Sequence, residues 1–403
     1  MHAIGVLSSK SYVSNCIPYT IGTVDIYRCE RNANPTDDHS TTPAAARHRT
    51  GAGRGVRFGG REGEPMSDRE SAFGPDPVRR SARSASGEAA DGAGTTDGAV
   101  EAVLPDRDPT EERDRIRSFI AERVETAGAD GVVVTMSGGL DSTVTAAVAV
   151  EALGPDHVYG LVLPCNKIGA PSARDAEALA AALGIDHDTV HLQPLFAQLG
   201  AVVPDEFGLH ADPVRSGNTL ARLRMAVAYL AAEATNALVC GTANRSELVA
   251  GYLTKHGDDA VDLLPLGHLY KTDVRALAAA LDVPEFVVDK PPSAEFLPGH
   301  RDADDLGAPY RVVDPVFHLG VDRGLDPDGV VDRIRAAVED RRQGAAATDD
   351  PGGTAAGVGP DADEGGVRSL ADVDRELVAD LLERHRRTAH KRLPAPTPDR
   401  RLG

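Results

Sequence analysis

The chain has no tryptophan, eight tyrosines, eight phenylalanines and only six lysines among 43 basic residues. A core so poor in aromatics must be built from aliphatic side chains. Basic surface is also missing. Asp and Glu number 62, for a net charge of −19, which argues against a nucleic-acid partner, because nonspecific binding to phosphate backbones draws on basic surface. Cys16, Cys29, Cys165 and Cys240 include no close pair, so they supply neither a disulfide framework nor a metal-ligand spacing, and they fit a reducing cytoplasm. No apolar stretch approaches a membrane span, and the run 4–7 is too short for a signal peptide. Gly-x-x-x-x-Gly-Lys-Ser/Thr does not occur. Scarce lysine with a large acidic excess suits salt that screens self-repulsion, and points to a salt-loving microbe.

Charge also divides the chain. Residues 1–65 carry eight Lys/Arg against six Asp/Glu, and the remainder 35 against 56. The composition predicts a disordered leader over 1–108, of which 1–65 lies outside the native protein, with Met66 as its start. A single catalytic domain is expected over 109–342. A Gly/Ala/Asp tract over 343–366 reads as a flexible insertion, and 367–403 as the last helix and tail of the same domain.

Within that domain strands and helices alternate. Helices are expected over 110–127, 143–153, 172–183 with a Ser172-x-x-Asp175 capping box, 219–234, 246–252, 272–281 and 370–387. Strands are expected over 132–136, 158–163, 189–192 and 237–240. The alternation predicts an α/β fold with a doubly wound parallel sheet and a ligand beyond the carboxyl ends of its strands.

Ser137-Gly138-Gly139-Leu140-Asp141-Ser142 lies between the first strand and its helix. Adjacent glycines let the backbone approach a ligand, and the N–H groups opening the helix suit an anion. Asp141 has the wrong sign for a bare phosphate, so a cation such as Mg²⁺ is expected between them. Gly241-Thr242-Ala243-Asn244-Arg245-Ser246-Glu247 follows the fourth strand. Asn244 there suits a helix cap, and Glu247 either a helix-dipole partner or a second hard ligand to the ion at Asp141. Of the five lysines beyond residue 65, Lys255, Lys271 and Lys391 fall in candidate ligand segments, with Lys167 and Lys290 beside such segments. Lysine is a compact mobile cation suited to following a phosphate.

The six-residue loop resembles the pyrophosphatase loop of enzymes that cleave ATP between its α and β phosphates. From about Asp114 to Pro394 the chain is similar to the ammonia-using NAD synthetase family. The resemblance rests on that loop, Asn218-x-x-Ala-Arg222-x-Arg224-Met225, the Gly241–Glu247 segment, Gly251-Tyr252-x-Thr254-Lys255-His256-Gly257-Asp258, Leu269-Tyr270-Lys271-Thr272, Pro292-Ser293-Ala294, Asp302…Leu306-Gly307 and His390-Lys391-Arg392. His300 and Ala303 depart from the family pattern.

The resemblance implies ATP contacts at Ser137, Gly138, Gly139, Ser142, Thr242, Lys271 and Ser293, with Mg²⁺ on Asp141 and Glu247. It places deamido-NAD on Arg222, Lys255, Asp262, His390 and Lys391. Asp141 and Lys271 would be catalytic, in an ATP-dependent amidation of deamido-NAD by ammonia that yields NAD, AMP and pyrophosphate. A lid over 295–306 and a homodimer are expected, the dimer using spare apolar positions on the helices over 110–127 and 219–234. Two other readings stay open. One is a different pyrophosphatase-loop synthetase, similar to GMP synthetase or to tRNA-thiolating enzymes, and the other a non-catalytic adenine-nucleotide-binding module. Retention of both Asp141 and Glu247 speaks against the latter.

Overall fold

The computed structural model describes residues 99–165, 169–293, 301–347 and 369–394, together with the strands β1 (Cys16–Ile21) and β2 (Val24–Cys29). The chain divides into two compact units, Met1–Arg54 and Gly55–Gly403. In the first, β1 and β2 pair antiparallel from Cys16↔Cys29 to Ile21↔Val24. Both segments are rich in β-branched and aromatic types, with two residues between them, which is a hairpin pattern.

In the second unit order begins before Pro109, since Ala99, Val100 and Val103 are already buried. Helix α1 (Pro109–Ala127) starts on an Asp108 cap that accepts from the Thr110 N–H, and stops at Gly128 with φ 63°. Then come β3 (Gly131–Thr135), α2 (Leu140–Leu153), β4 (Val158–Val162), α3 (Ala170–Ala182) and β5 (Asp186–Thr189). Helices α4 (Gln193–Val202) and α5 (Pro213–Thr235) precede β6 (Ala237–Cys240) and α6 (Arg245–Ala250). The remaining helices are α7 (Lys271–Ala280), α8 (Glu285–Val288), α9 (Asp302–Leu306), α10 (Tyr310–Phe317), α11 (Pro327–Ala347), α12 (Arg375–Arg387) and α13 (Ala389–Arg392).

All four strands are parallel, in the order β5-β4-β3-β6. The chain therefore builds outward from β3 to β5 and returns to the other side of β3 with β6. That reversal puts a topological switch point between the carboxyl ends of β3 and β6. Val132, Val133 and Val134 are each fully buried. Val132 and Val134 join one apolar cluster with Ile116, Ile120 and Leu277, while Val133 joins another with Met225 and Ala228. This alternation is what a strand covered on both faces requires. A third cluster gathers Val316, Phe317, Ile334, Leu377 and Leu381 from α10, α11 and α12. Burying each of these large side chains contributes about 1.5–3 kcal/mol.

Several boundaries differ from expectation. The third strand of the sheet is Asp186–Thr189 rather than 189–192; its charged residues suit an edge strand that must not pair further. Helix α3 starts at Ala170, so Ser172 is not a cap and its hydroxyl accepts from Lys290 Nζ at 2.7 Å. The last long helix begins at Arg375, because Asp374 caps it by accepting from Leu377 N–H, with a separate turn at Leu370–Asp372. Residues 343–347, expected to open an insertion, end α11 instead, and 348–366 lie outside the described residues. Of the expected lid, 295–300 also lie outside them; Asp302–Leu306 is a packed helix with Asp302 and Leu306 buried. Among the described residues no helix is long and apolar enough to cross a membrane.

Candidate active site

The chain leaves β3 through Ser137 and turns at Gly138, whose φ is 76°. A Cβ on Gly138 would lie 2.3 Å from the Ser172 carbonyl oxygen, so the turn needs glycine both for its dihedral and for the closeness of α3. Hydroxyls then lock the loop. Ser137 and Ser142 Oγ are 3.0 Å apart, Ser142 Oγ accepts from the Ser137 N–H at 3.2 Å, and it donates to the Gly139 carbonyl at 3.1 Å. Helix α2 starts directly afterwards with no side chain capping it, which leaves its first N–H groups and positive dipole end suited to an anion. Lys290 stands beside this loop, with Nζ 3.4 Å from the Gly138 carbonyl and 3.5 Å from Asp175 Oδ2.

The loop after β6 opens at the neighbouring strand end, since Val134 and Cys240 are paired. Asn244 caps α6: its Oδ1 accepts from the Glu247 N–H at 3.1 Å, and its own N–H donates to Glu247 Oε2 at 3.3 Å. The expected cap is present. Asn244 also does something the sequence did not disclose, donating from Nδ2 to Asp141 Oδ1 at 3.1 Å. One residue thus donates to both carboxylates expected to hold a metal, to Asp141 from its side chain and to Glu247 from its backbone.

Lys271 opens α7 and is 4% exposed. Its ammonium donates to Asp141 Oδ2, lies 3.9 Å from Glu247 Oε1, and stands 5.7 Å from the centre of the Tyr310 ring. Burial alone would lower the Lys271 pKa, but the charges of Asp141 and Glu247 outweigh it and hold the ammonium above its ordinary value. Burial, with the Asp141 charge adding, pushes the Glu247 carboxyl well up. One ammonium therefore faces two carboxylates, and Asp302 adds a third negative charge that reaches both Lys271 and Glu247. Asp302 Oδ2 accepts from the Tyr310 hydroxyl at 3.0 Å, while its Oδ1 is buried with no hydrogen-bond partner among the described residues. Hard oxygen ligands in negative excess suit Mg²⁺. Among the described residues no three metal-binding side chains converge, so Asp141 and Glu247 would supply two ligands and phosphate oxygens the rest.

Of the residues expected to meet the dinucleotide, Arg222 and Lys391 meet a neighbouring segment that carries Lys255. Arg222 donates from Nε and Nη2 to the Lys255 carbonyl at 3.2 and 3.1 Å. One turn earlier on α5, Asn218 Oδ1 accepts from Thr254 Oγ1 at 2.7 Å. Lys391 donates from Nζ to the Gly251 and Leu253 carbonyls at 2.7 Å each, so the tail does return to this segment. Asp262 Oδ2 accepts from the Val239 N–H at 2.7 Å and Oδ1 from the Tyr229 hydroxyl at 3.2 Å. Thr242 and Ser293 are half-buried, and His390 is exposed.

Comparison with known proteins agrees with this geometry. The NAD synthase family profile matches residues 112–343. The chain is 45% identical over 215 residues to the NH(3)-dependent NAD(+) synthetase of Halobacterium salinarum, covering 53% of this chain and 79% of that protein. It is 41% identical over 222 residues to the enzyme of the same description from Methanosarcina mazei, covering 55% and 86%. Among solved structures, NMN synthetase from Francisella tularensis superposes with a TM-score of 0.55 at 29% identity, over 73% of this chain and all of that one. A glycine turn opening α2, Glu247 in the capping box of α6 and a buried Lys271 stand at one switch point, and a match of this extent places the chain in the NAD synthase family.

Proposed function

We propose that the chain amidates deamido-NAD with ammonia and ATP, giving NAD, AMP and pyrophosphate. The observation that carries this is the convergence of Asp141, Glu247 and Lys271 beside the uncapped start of α2, in a chain similar to NH(3)-dependent NAD(+) synthetases. The substrate carboxylate is a poor electrophile and needs a leaving group. One of its oxygens attacks the α-phosphorus of ATP, the bond from that phosphorus to the bridging oxygen breaks, and pyrophosphate departs. Ammonia then adds to the acyl carbon and loses a proton, and AMP leaves with the former carboxylate oxygen.

Ser137, Gly138, Gly139 and Ser142 shape the phosphate-facing loop, with Thr242 and Ser293 completing the ATP site. Lys271 follows the charge that develops as pyrophosphate leaves, a preorganised charge where the transition state needs it. Mg²⁺ held by Asp141 and Glu247 would neutralise phosphate oxygens. Arg222, Lys255, Asp262, His390 and Lys391 recognise the dinucleotide, Arg222 through the segment it fixes at Lys255.

Free ammonia is the nitrogen source in this reading. Cys240 is fully buried with its thiol pushed up by burial, and burial raises Cys165 too, so neither is an activated nucleophile for glutamine. The compartment is the cytoplasm, and the working unit is a homodimer. In support of the dimer, Leu195, Val202, Phe207, Val214 and Leu230 of the α4–α5 region are exposed, whereas α1 exposes no large hydrophobic side chain. Of the two helices expected to supply spare apolar positions, α5 exposes Val214 and Leu230 and α1 none. Incubation with ATP, Mg²⁺, ammonium and deamido-NAD, with nicotinate mononucleotide as a parallel acid because of the NMN synthetase likeness, tests reaction and substrate together. NAD and pyrophosphate in equal amounts support the reading; ADP and phosphate overturn it.

A further inference from the structure

Tyr310, Asp314, His318 and Asp322 recur every fourth residue along α10 and the wider π-type turn His318–Asp322 that continues it. That spacing keeps side chains near one helix face. The face meets the starts of α6 and α7. Tyr310 lies under the Lys271 ammonium, and His318 meets the Tyr270 ring edge-on at 6.4 Å. Asp322 accepts from the Tyr270 hydroxyl at 2.8 Å and pairs with Arg245.

Asp314 is the centre of this stripe and has no exposed surface. Its Oδ1 accepts from Ser246 Oγ at 2.6 Å, and its Oδ2 accepts from the Thr272 N–H and Thr272 Oγ1 at 3.1 Å each. Ser246 Oγ in turn accepts from the Lys271 N–H at 2.8 Å. The first two N–H groups of α7, which a helix otherwise leaves without partners, thus end on Asp314 directly or through one hydroxyl. A carboxylate there also faces the positive end of the α7 dipole. Ser246 precedes Glu247 and Thr272 follows Lys271, so one buried carboxylate grips both helix starts next to the groups that face Asp141.

We propose that Asp314 is a positioning residue for the amidation centre, fixing where Glu247 and Lys271 stand relative to each other and to Asp141 by holding Ser246 and Thr272 on one carboxylate. The inference rests on the reading of those three residues as the adenylating centre. It differs from a merely structural buried carboxylate in what it predicts for turnover. Displacing reacting groups by about 1 Å costs on the order of 100-fold in rate, and a loss confined to the transition state lowers kcat without raising KM.

The test compares wild type, Asp314→Asn, Asp314→Ala and Ser246→Ala for pyrophosphate release and NAD formation, alongside melting curves. Asp314→Ala is expected to lower kcat about 100-fold while KM for ATP moves less than about threefold. Asp314→Asn keeps an acceptor for Thr272 and a polar contact to Ser246, and is expected to stay within about tenfold of wild type. Ser246→Ala should lower kcat in the same way and fail to add to Asp314→Ala, as partners in one network do. A folded Asp314→Ala with wild-type kcat, or one whose KM rises as kcat stays fixed, overturns the proposal. If that variant does not fold, Ser246→Ala decides: wild-type kcat overturns the proposal, and a kcat loss at constant KM supports it. Wild type releasing no pyrophosphate with deamido-NAD would instead remove the reading of the centre, and the inference with it.

Discussion

The Lys271 ammonium donates to the Asp141 carboxylate across 130 residues of sequence, joining the start of α7 to the start of α2. The bond makes two helix N-termini one electrostatic unit. Removing the cation should leave Asp141, Glu247 and Asp302 without the ammonium that their negative charges share.

Lys271→Met is therefore expected to lower kcat by about 100- to 1,000-fold, the usual cost of losing one preorganised charge at a developing anion. It should also raise the Mg²⁺ concentration dependence of whatever activity remains. A Mg²⁺ titration of turnover checks both; unchanged kcat would remove Lys271 from the centre.

Asp141→Asn should harm chemistry more than binding. In the proposed site the loop and the α2 N-terminus would still face the phosphates, while Lys271 loses its closest anion and the proposed metal site one of its two carboxylates. We expect kcat to fall at least about 100-fold and the ATP dissociation constant to change by no more than about threefold. Calorimetry with ATP, beside a pyrophosphate assay, separates the two.

Gly138→Ala meets a backbone oxygen 2.3 Å from its new Cβ and a positive φ. A loss of about 1–3 kcal/mol in stability is expected, with weaker ATP binding because α2 and α3 must move apart. Denaturant melts and ATP titration measure it, and wild-type values for both would show that the loop has room.

Much of this centre is legible in sequence because it is local. A buried strand, two glycines and a small-residue helix stand consecutively at 131–153, and the Asn244–Glu247 cap spans four residues. Asp314 is not legible in that way. Its partners lie 68 and 42 residues away, and an acid followed by Pro315 in an apolar run reads as a helix interruption until the packing is known. Strand β5 escapes period-based reading because Asp186 to Thr189 are all polar and sit at an edge. Helix α11 is not among the expected helices, although Val330, Val331, Ile334, Ala337 and Val338 are buried at helical spacing; the alanine- and glycine-rich stretch at its end reads as a loop tract.

Stability should register Asp314 through pH. Burial first, with the Asp273 charge adding, pushes its carboxyl up to about 7 from an ordinary 3.8, against lowering hydrogen bonds from Ser246 and Thr272. The folded state then binds the proton more tightly than the unfolded chain. This group's contribution favours folding below its unfolded pKa, declines as pH rises toward the folded value, and levels off above it. Asp314→Asn lacks that decline, so its stability relative to wild type should improve between about pH 4 and about pH 7, by an amount on the order of a few kcal/mol. Urea melts of both proteins across that window check it; a difference independent of pH would contradict the assignment.

Assembly is testable without activity. A homodimer resting on Val202, Phe207 and Val214, which are 67%, 61% and 68% exposed in the single chain, should sediment at twice the chain mass in molar salt. Phe207→Asp should shift it toward the monomer. A monomer at all salt concentrations would leave that apolar surface without the proposed partner.

The most direct test of the central claim follows an oxygen atom. Deamido-NAD labelled with oxygen-18 in its nicotinate carboxylate is turned over with ATP, Mg²⁺ and ammonium, and the AMP is analysed by mass. Adenylation of the carboxylate predicts one labelled oxygen in AMP for each NAD formed, with one pyrophosphate released. Unlabelled AMP, or ADP and phosphate as products, would contradict the account.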